Sequence, residues 1–291
     1  IAHIKEQTQF AGGPCLVTFG AEFFSFRNVS LPFSDRKKIE QALPFELIDH
    51  SPVDINSLLI DFIVAKSEKQ ATAIVAAMIN REYLSAHLAI LSSAGINPES
   101  IGISGVSTAL NIAEGVAGNF VLIDIGQCWA SLFIVLNQKV ALVRSLAIQP
   151  EAVSGNTVDD TFVQNVLQTV LASQLLDTKN PNYDVYLTGS EAQFEAVSPV
   201  LSSKLGGVEV AYFRQSEQPL IKVEADIQSH YQPELMDRAL AYVLKIGKKS
   251  GRFNFRKDDF RKKKSLAEYR DLLLKIAIPL CCLATKELSR A

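Results

Sequence analysis

Residues Phe120–Val140 read FVLIDIGQCWASLFIVLNQKV. The apolar run Phe120–Ile125 closes on Asp124-Ile125-Gly126, a second run follows over Ala130–Leu136, and Asn137-Gln138-Lys139 turns the chain into a third, Val140–Leu146. Runs rich in Val, Ile and Phe and joined by tight turns are expected as three antiparallel strands. Downstream, Thr157–Leu176 sets Phe162, Val166, Val170 and Leu175 near helical spacing, and Tyr183–Thr188 reads as a strand ending at Gly189. Glu191–Leu205 is an expected helix interrupted by Pro199, Val208–Phe213 a strand, and Pro233 opens a helix continuing through Leu235–Lys245. This alternation requires right-handed crossovers and a partly parallel sheet, so a mixed sheet of five strands is expected.

The first half follows the same order more loosely. Cys15–Phe19 and Phe23–Leu31 read as strands with a turn at Gly20, and Ser34 caps a helix through Ile39 and Leu43 that Pro44 should kink or break. Leu58–Ala65 and Ala71–Ala76 are strand-like. Asn80 caps a helix carrying Tyr83, Leu84, Leu88 and Leu91 that Gly95 should end. Ile101–Ser104 is a short buried strand, and Val106–Ala113 is helical.

The chain has 291 residues, 48% hydrophobic and 21% charged, ordinary for a globular protein with a sizeable core. The net charge of −2 is unevenly spread, because Lys248–Lys264 is strongly basic and the remainder acidic. Such a block suggests a tail that meets an anionic surface. Cytoplasmic flanks of membrane helices are Lys/Arg-rich, and the apolar run LLLKIAIPLCCLA, from Leu272, follows directly. That run is too short to span a bilayer as it stands, since spanning takes about 20 residues. Phe253, Phe255 and Phe260 interleave with the basic residues, but the acidic body argues against nucleic acid. Cys15, Cys128, Cys281 and Cys282 show no metal-ligand spacing and read as reduced thiols. The chain opens on Ile1 with no signal-peptide pattern, and a trimmed sequence, with residues missing upstream or elsewhere, is expected.

The chemistry-bearing motifs are few. Asp124 and Gly126 stand where a phosphate-holding turn would lie, but Gln127, Cys128, Trp129 and Ala130 follow where small residues and hydroxyls would be needed. Asp124 can position a magnesium-bound water, or it can cap local N–H groups as a relic. Gly189 and Ser190 join a strand to a helix, a geometry that gathers N–H groups for an anion and also serves any such turn. His3, His50, His87 and His230 are scattered, no nucleophile elbow is present, and Asp159-Asp160 suits the first turn of a helix. No catalytic constellation is expected.

Four segments carry a resemblance to the actin-like proteins of bacterial envelope machines, the type II secretion L protein (GspL) and the pilus assembly protein PilM. They are FRNVSLPFSDRKKIEQALPFELIDHSPVD (Phe26–Asp54), VLIDIGQ (Val121–Gln127), VYLTGSEAQ (Val185–Gln193) and GRFNFRKDDFRKKK (Gly251–Lys264). The first and fourth are the more family-specific. The chain departs from the actin-like ATPases in three ways. No Asp-x-Gly loop precedes Cys15, Trp129 fills the second phosphate loop, and Ser190 replaces the second glycine of the adenosine loop.

The resemblance implies a two-lobed, ribonuclease-H-like α/β fold with a degenerate nucleotide cleft at Asp124, Gly126, Gly189 and Ser190. Residues 1–115 with 233–250 would form lobe I, 116–232 lobe II, and 251–291 a juxtamembrane segment. It further implies a non-enzymatic scaffold on the cytoplasmic face of the inner membrane, recruiting the assembly ATPase (E protein) and a membrane platform protein. ATP with magnesium is the alternative occupant of the cleft. A homodimer stays open. Phe253, Asn254 and Phe255 are expected to dock on the body and orient it to the membrane.

Overall fold

The computed structural model describes residues 15–48, 53–68, 71–148, 160–173, 182–245 and 251–262. In chain order the elements are β1 (Leu16–Phe19), β2 (Ser25–Leu31), α1 (Arg36–Ile48), β3 (Leu58–Ser67), β4 (Thr72–Asn80), α2 (Arg81–Ser93), β5 (Ser100–Ile103) and α3 (Val106–Gly115). There follow β6 (Asn119–Ile125), β7 (Trp129–Leu136), β8 (Lys139–Ala147), α4 (Asp160–Ser173), β9 (Tyr183–Thr188), α5 (Glu191–Lys204), β10 (Val210–Tyr212), α6 (Ala225–Gln228) and α7 (Pro233–Val243).

The stretch Phe120–Val140 builds the centre of a five-stranded sheet ordered β10-β9-β6-β7-β8. β6 and β7 are antiparallel, as are β7 and β8, while β9 runs parallel to both β6 and β10. Asn137 and Gln138 both adopt positive φ, the two-residue hairpin turn whose twist matches that of the strands. Val121, Ile123 and Ile125 of β6 pack against Phe162, Val166 and Val170 of α4 and Val197 and Leu201 of α5. The opposite face of β6 and β7 is also buried, with Phe120 and Phe133 fully enclosed. A sheet covered on both faces reads as continuous apolar runs, the pattern of these strands.

The first half differs from a second copy of that order. β2, β4 and β3 form an antiparallel sheet of three strands, covered by Ile39, Leu43 and Leu47 of α1. β1 pairs in parallel with β5 alone among the described strands. The residues flanking Gly20 therefore enter different sheets, with a short 3-10 turn at Ala21–Phe23 between them.

Neither proline breaks its helix. α1 continues through Pro44 and α5 through Pro199. Each proline removes one backbone bond, and the carbonyls released, of Glu40 and Glu195, belong to exposed residues that water can satisfy. Burial of Leu43 and Leu47, and of Val197 and Leu201, holds each helix together on both sides of its proline. The N-cap of α1 is Asp35, whose Oδ1 accepts the Lys38 N–H at 3.0 Å, in place of Ser34. Asn80 caps α2 as expected, accepting from the N–H groups of Glu82 and Tyr83.

The chain divides after Phe255 into two compact units, Ile1–Phe255 and Arg256–Ala291. Of the second, residues 256–262 are described and contain a 3-10 turn at Asp258–Phe260. His3, His50, Asp159, Lys248, Lys249 and the apolar run from Leu272 lie outside the described residues. Among the described residues no helix is long and apolar enough to cross a membrane.

Candidate functional site

β6 and β9 are adjacent and parallel, with Asp124 opposite Thr188. That register brings Asp124 and Gly126 at the end of one strand beside Gly189 and Ser190 at the end of the next. Ligands of open α/β sheets bind at such carboxyl ends. The turn between β5 and α3 closes in from another side. Gly105 has φ 83°, and a Cβ built there would lie 2.5 Å from the Phe133 ring and 3.1 Å from Asp124 Oδ2. Only glycine lets this turn approach the aspartate so closely.

Asp124 is 5% exposed, and its carboxylate is already occupied. Arg238 of α7 donates from Nε to Oδ1 at 2.9 Å and Oδ2 at 3.1 Å, and from Nη2 to Oδ1 at 2.7 Å. The same Nη2 reaches the Ile125 carbonyl at 2.9 Å, and Thr188 Oγ1 donates to Asp124 Oδ1 at 2.8 Å. The Asp124 charge holds the Arg238 pKa above its ordinary value, against an opposing pull from burial. A two-pronged guanidinium–carboxylate contact is the strongest common polar pair. Here it engages both oxygens of the acid.

Two backbone donors of these turns are likewise used. The Gly126 N–H donates to the Trp129 carbonyl at 2.8 Å, closing the loop on itself. The Ser190 N–H donates to Gln193 Oε1 at 2.8 Å, and the Gln193 N–H returns to Ser190 Oγ at 3.2 Å, a capping box for α5. Gln193 Nε2 then donates to the Gly126 carbonyl at 3.0 Å, tying the two turns together. Tyr212 Oη donates to the Gly189 carbonyl at 2.7 Å.

On the Gly189 side the residues leave little room for magnesium-ATP. Beside Gly189 the cavity between Thr188, Phe213, Asp237 and Arg238 measures about 20 Å³, whereas ligand pockets run to about 300–1,000 Å³. On the other side of the ion pair a cleft of about 330 Å³ is lined by Gly20, Glu22, Ser104, Gly126 and Trp129. Glu22 adds a carboxylate and Trp129 a large indole to its wall, and the Arg238 guanidinium that also lines it is engaged by Asp124. Among the described residues no cluster of three His, Cys, Asp or Glu side chains could hold a metal ion.

Phe253, Asn254 and Phe255 lie apart from this cleft, on the edge of β5. Phe253 is 2% exposed and Phe255 0%. The Phe255 N–H donates to the Ile101 carbonyl at 2.8 Å, and Asn254 Oδ1 accepts the Ile101 N–H at 3.2 Å. The Asn254 N–H donates to Asp61 Oδ2 at 2.8 Å, and Asp61, 3% exposed, also pairs with Arg36 at 3.2 Å. Phe255 packs on Phe24 with ring centroids 4.8 Å apart.

Between the two places stands α7. Arg238 and Tyr242 lie one helical turn apart, and Tyr242 Oη meets Ser100 Oγ of β5 at 2.7 Å. The Arg252 guanidinium lies 5.7 Å from the Tyr242 ring centroid. Lys245 Nζ pairs with Glu114 Oε1 of α3 at 2.8 Å, securing the end of the helix.

Sequence reasoning missed Arg238 and Asp61. Asp61 carried a signal, a single acid inside the apolar strand LLIDFIVA. Arg238 carried none, because a helix of mixed composition tolerates a charged residue on any exposed face.

The mixed sheet, its crossovers and the strand-end cleft define an actin-like α/β fold. Residues 2–107 match the family model described as Type II secretion system (T2SS), protein L. That match bears out the resemblance drawn from Phe26–Asp54. Among solved structures the chain is similar to the PilM-PilN type IV pilus biogenesis complex, at 20% identity over 84% of this chain and 83% of that one, with a TM-score of 0.61. It is also similar to the cytoplasmic domain of EpsL, an inner membrane component of the type II secretion system of Vibrio cholerae. There the identity is 12% over 89% of this chain and 84% of that one, with a TM-score of 0.50. At these identities the likeness is one of fold. No curated protein matches the sequence.

Proposed function

We propose that this chain is a non-enzymatic scaffold of a type II secretion or related pilus system, set at the cytoplasmic face of the inner membrane. It would recruit the assembly ATPase and join it to the membrane platform. The family match over residues 2–107 supports the system, and the fold shared with PilM and EpsL supports the kind of component. One observation carries the scaffold reading. The Asp124–Arg238 pair and the Gln193 bridge use up the groups that would grip a triphosphate, so the cleft serves as a rigid joint.

The segment 253–255 supports the membrane link. Phe253 and Phe255 are buried in the body immediately before a basic run, so a membrane-adjacent tail would be anchored to a folded core instead of hanging from it. The solved pilus relative is a complex of two chains, PilM and PilN. Lobe I (1–115 with 233–250) and lobe II (116–232) remain our division of the body.

The test is a pull-down with the N-terminal domain of the cognate assembly ATPase. Binding is expected at low salt and should weaken as salt screens the acidic body. Absence of binding at low salt overturns the recruitment role. The runner-up is a nucleotide switch, favoured by the adjacency of Asp124 and Gly189 on parallel strands. Calorimetry with Mg-ATP separates the two, because saturable micromolar binding abolished by Asp124→Ala belongs only to the switch.

A further inference from the structure

α7 turns its polar face to the body and its apolar face outward. At about 100° per residue, Leu235, Met236, Ala239, Leu240, Val243 and the capping residue Leu244 share one half of the helix surface. Leu235 is 72% exposed, Val243 49%, Met236 41% and Leu244 40%, and Ala239 is exposed as well. No charged side chain interrupts this stripe. The opposite half carries Asp237, Arg238, Ala241 and Tyr242. Asp237 accepts the Gln215 N–H and the Tyr231 hydroxyl, each at 2.7 Å, and Arg238 holds Asp124. Ala241 and Tyr242 are buried. A surface helix ordinarily does the reverse and lays its apolar stripe on the core. A contiguous exposed apolar stripe marks a surface that meets something.

The stripe is built as two rows at a spacing of four, Leu235-Ala239-Val243 and Met236-Leu240-Leu244, the ridges by which packed helices interlock. It also has the same pattern in both directions. Reversed about the Ala239–Leu240 midpoint, Leu235 falls on Leu244, Met236 on Val243 and Ala239 on Leu240. A two-fold axis requires one patch to complement itself. Here each side chain would meet an apolar one, and no like charges are brought together. Ala239, the smallest of the six, stands at the centre, where crossing helices come closest, and leaves room for Leu240 of a second copy.

We propose that α7 is a self-association surface, on which a second copy of this chain packs its own α7 antiparallel about a two-fold axis at Ala239–Leu240. A helix lying on a membrane keeps Lys or Arg on its polar face at the headgroups, whereas the polar face of α7 is engaged within the body. At about 15 Å long, the stripe is too short to supply the about 800 Å² per partner of a stable interface. The dimer is therefore weak, with Kd about 10–100 μM, and forms where copies are concentrated. This inference goes beyond the scaffold reading and does not depend on it.

Sedimentation velocity of the whole chain, from about 1 to 300 μM, reads the association. A shift from monomer toward dimer is expected across that range. Ala239→Glu and Ala239→Lys each set like charges across the axis and should weaken association by about tenfold or more. Both should keep the folded circular-dichroism spectrum, because residue 239 is exposed. An equal mixture of the two variants should associate again, since opposite charges then face each other. That rescue belongs to a second copy and not to a different partner. A chain that stays monomeric throughout overturns the proposal, as does dimerisation undiminished in both variants. So does a mixture that fails to associate, or binding to phosphatidylglycerol vesicles that Ala239→Glu abolishes in a chain that does not self-associate.

Discussion

Arg238 and Asp124, 114 residues apart in sequence, meet in a two-pronged ion pair with contacts of 2.7 to 3.1 Å at the mouth of the five-stranded sheet. The acid is nearly inaccessible, whereas the arginine side chain is 33% exposed. The charge that a cation would otherwise balance is balanced from within the chain.

Arg238→Ala should leave the Asp124 carboxylate buried and unpaired. The expected loss of stability is about 2–3 kcal/mol, less than for a fully buried pair because part of the guanidinium is solvated. The double variant Asp124→Ala, Arg238→Ala should cost less than the sum of the single variants. Urea unfolding of all four proteins checks this, and strict additivity would show that the pair contributes no coupling.

Replacing Phe253 and Phe255 together with alanine should empty two enclosed ring sites. Each buried phenylalanine truncation costs about 3–5 kcal/mol. Thermal denaturation and limited proteolysis beyond residue 245 read the outcome. An unchanged melting temperature with unchanged cleavage would mean that the segment is not anchored to the body. Asp61→Asn should reproduce part of the effect, since it removes the charge that faces the Asn254 N–H and Arg36.

Gly105→Ala should destabilise by about 2 kcal/mol or more, from strained positive φ and overpacking together. Its added methyl meets the Phe133 ring. Gly115, at the end of α3, has nothing within 4 Å of a built Cβ. Gly115→Ala should be neutral or stabilising by about 0.4–1 kcal/mol. Parallel melting curves for the two substitutions separate position from residue type.

Burial pushes the Tyr242 phenol above its ordinary range, and Tyr183 and Tyr186 are raised for the same reason. A raised folded pKa means that the folded state holds the proton more tightly than the unfolded state. The resulting stability is full below the unfolded value of about 10 and is lost as pH rises through the folded value. The urea midpoint should therefore fall as pH rises above about 10, less steeply in Tyr242→Phe. An identical slope in that variant would exclude Tyr242 as a contributor.

Much of the architecture was legible before any coordinates. Three apolar runs with an Asn-Gln turn can only pair as hairpins, and Asn80 and Pro233 start helices through bonds within a few residues. Tyr183–Thr188 could be read to its ends because a buried strand between turn residues leaves a sharp local pattern. The helices through Pro44 and Pro199 were not legible, since the burial that overrides each proline comes from residues brought together by the sheet beneath. The candidate cleft was half legible. Asp124, Gly126, Gly189 and Ser190 mark two strand ends, but nothing local says that those ends are neighbours.

What sequence alone determined is the order and type of the elements from Asn119 onward, the short α6 excepted, because propensity, capping and period act over a few residues. The tertiary structure alone decided what the cleft contains and where the tail segment lies. Arg238 reaches Asp124, and Asn254 reaches Asp61 across 193 residues, only after the chain has closed on itself. Such pairs depend on the positions of packed layers, which no short stretch of residues encodes.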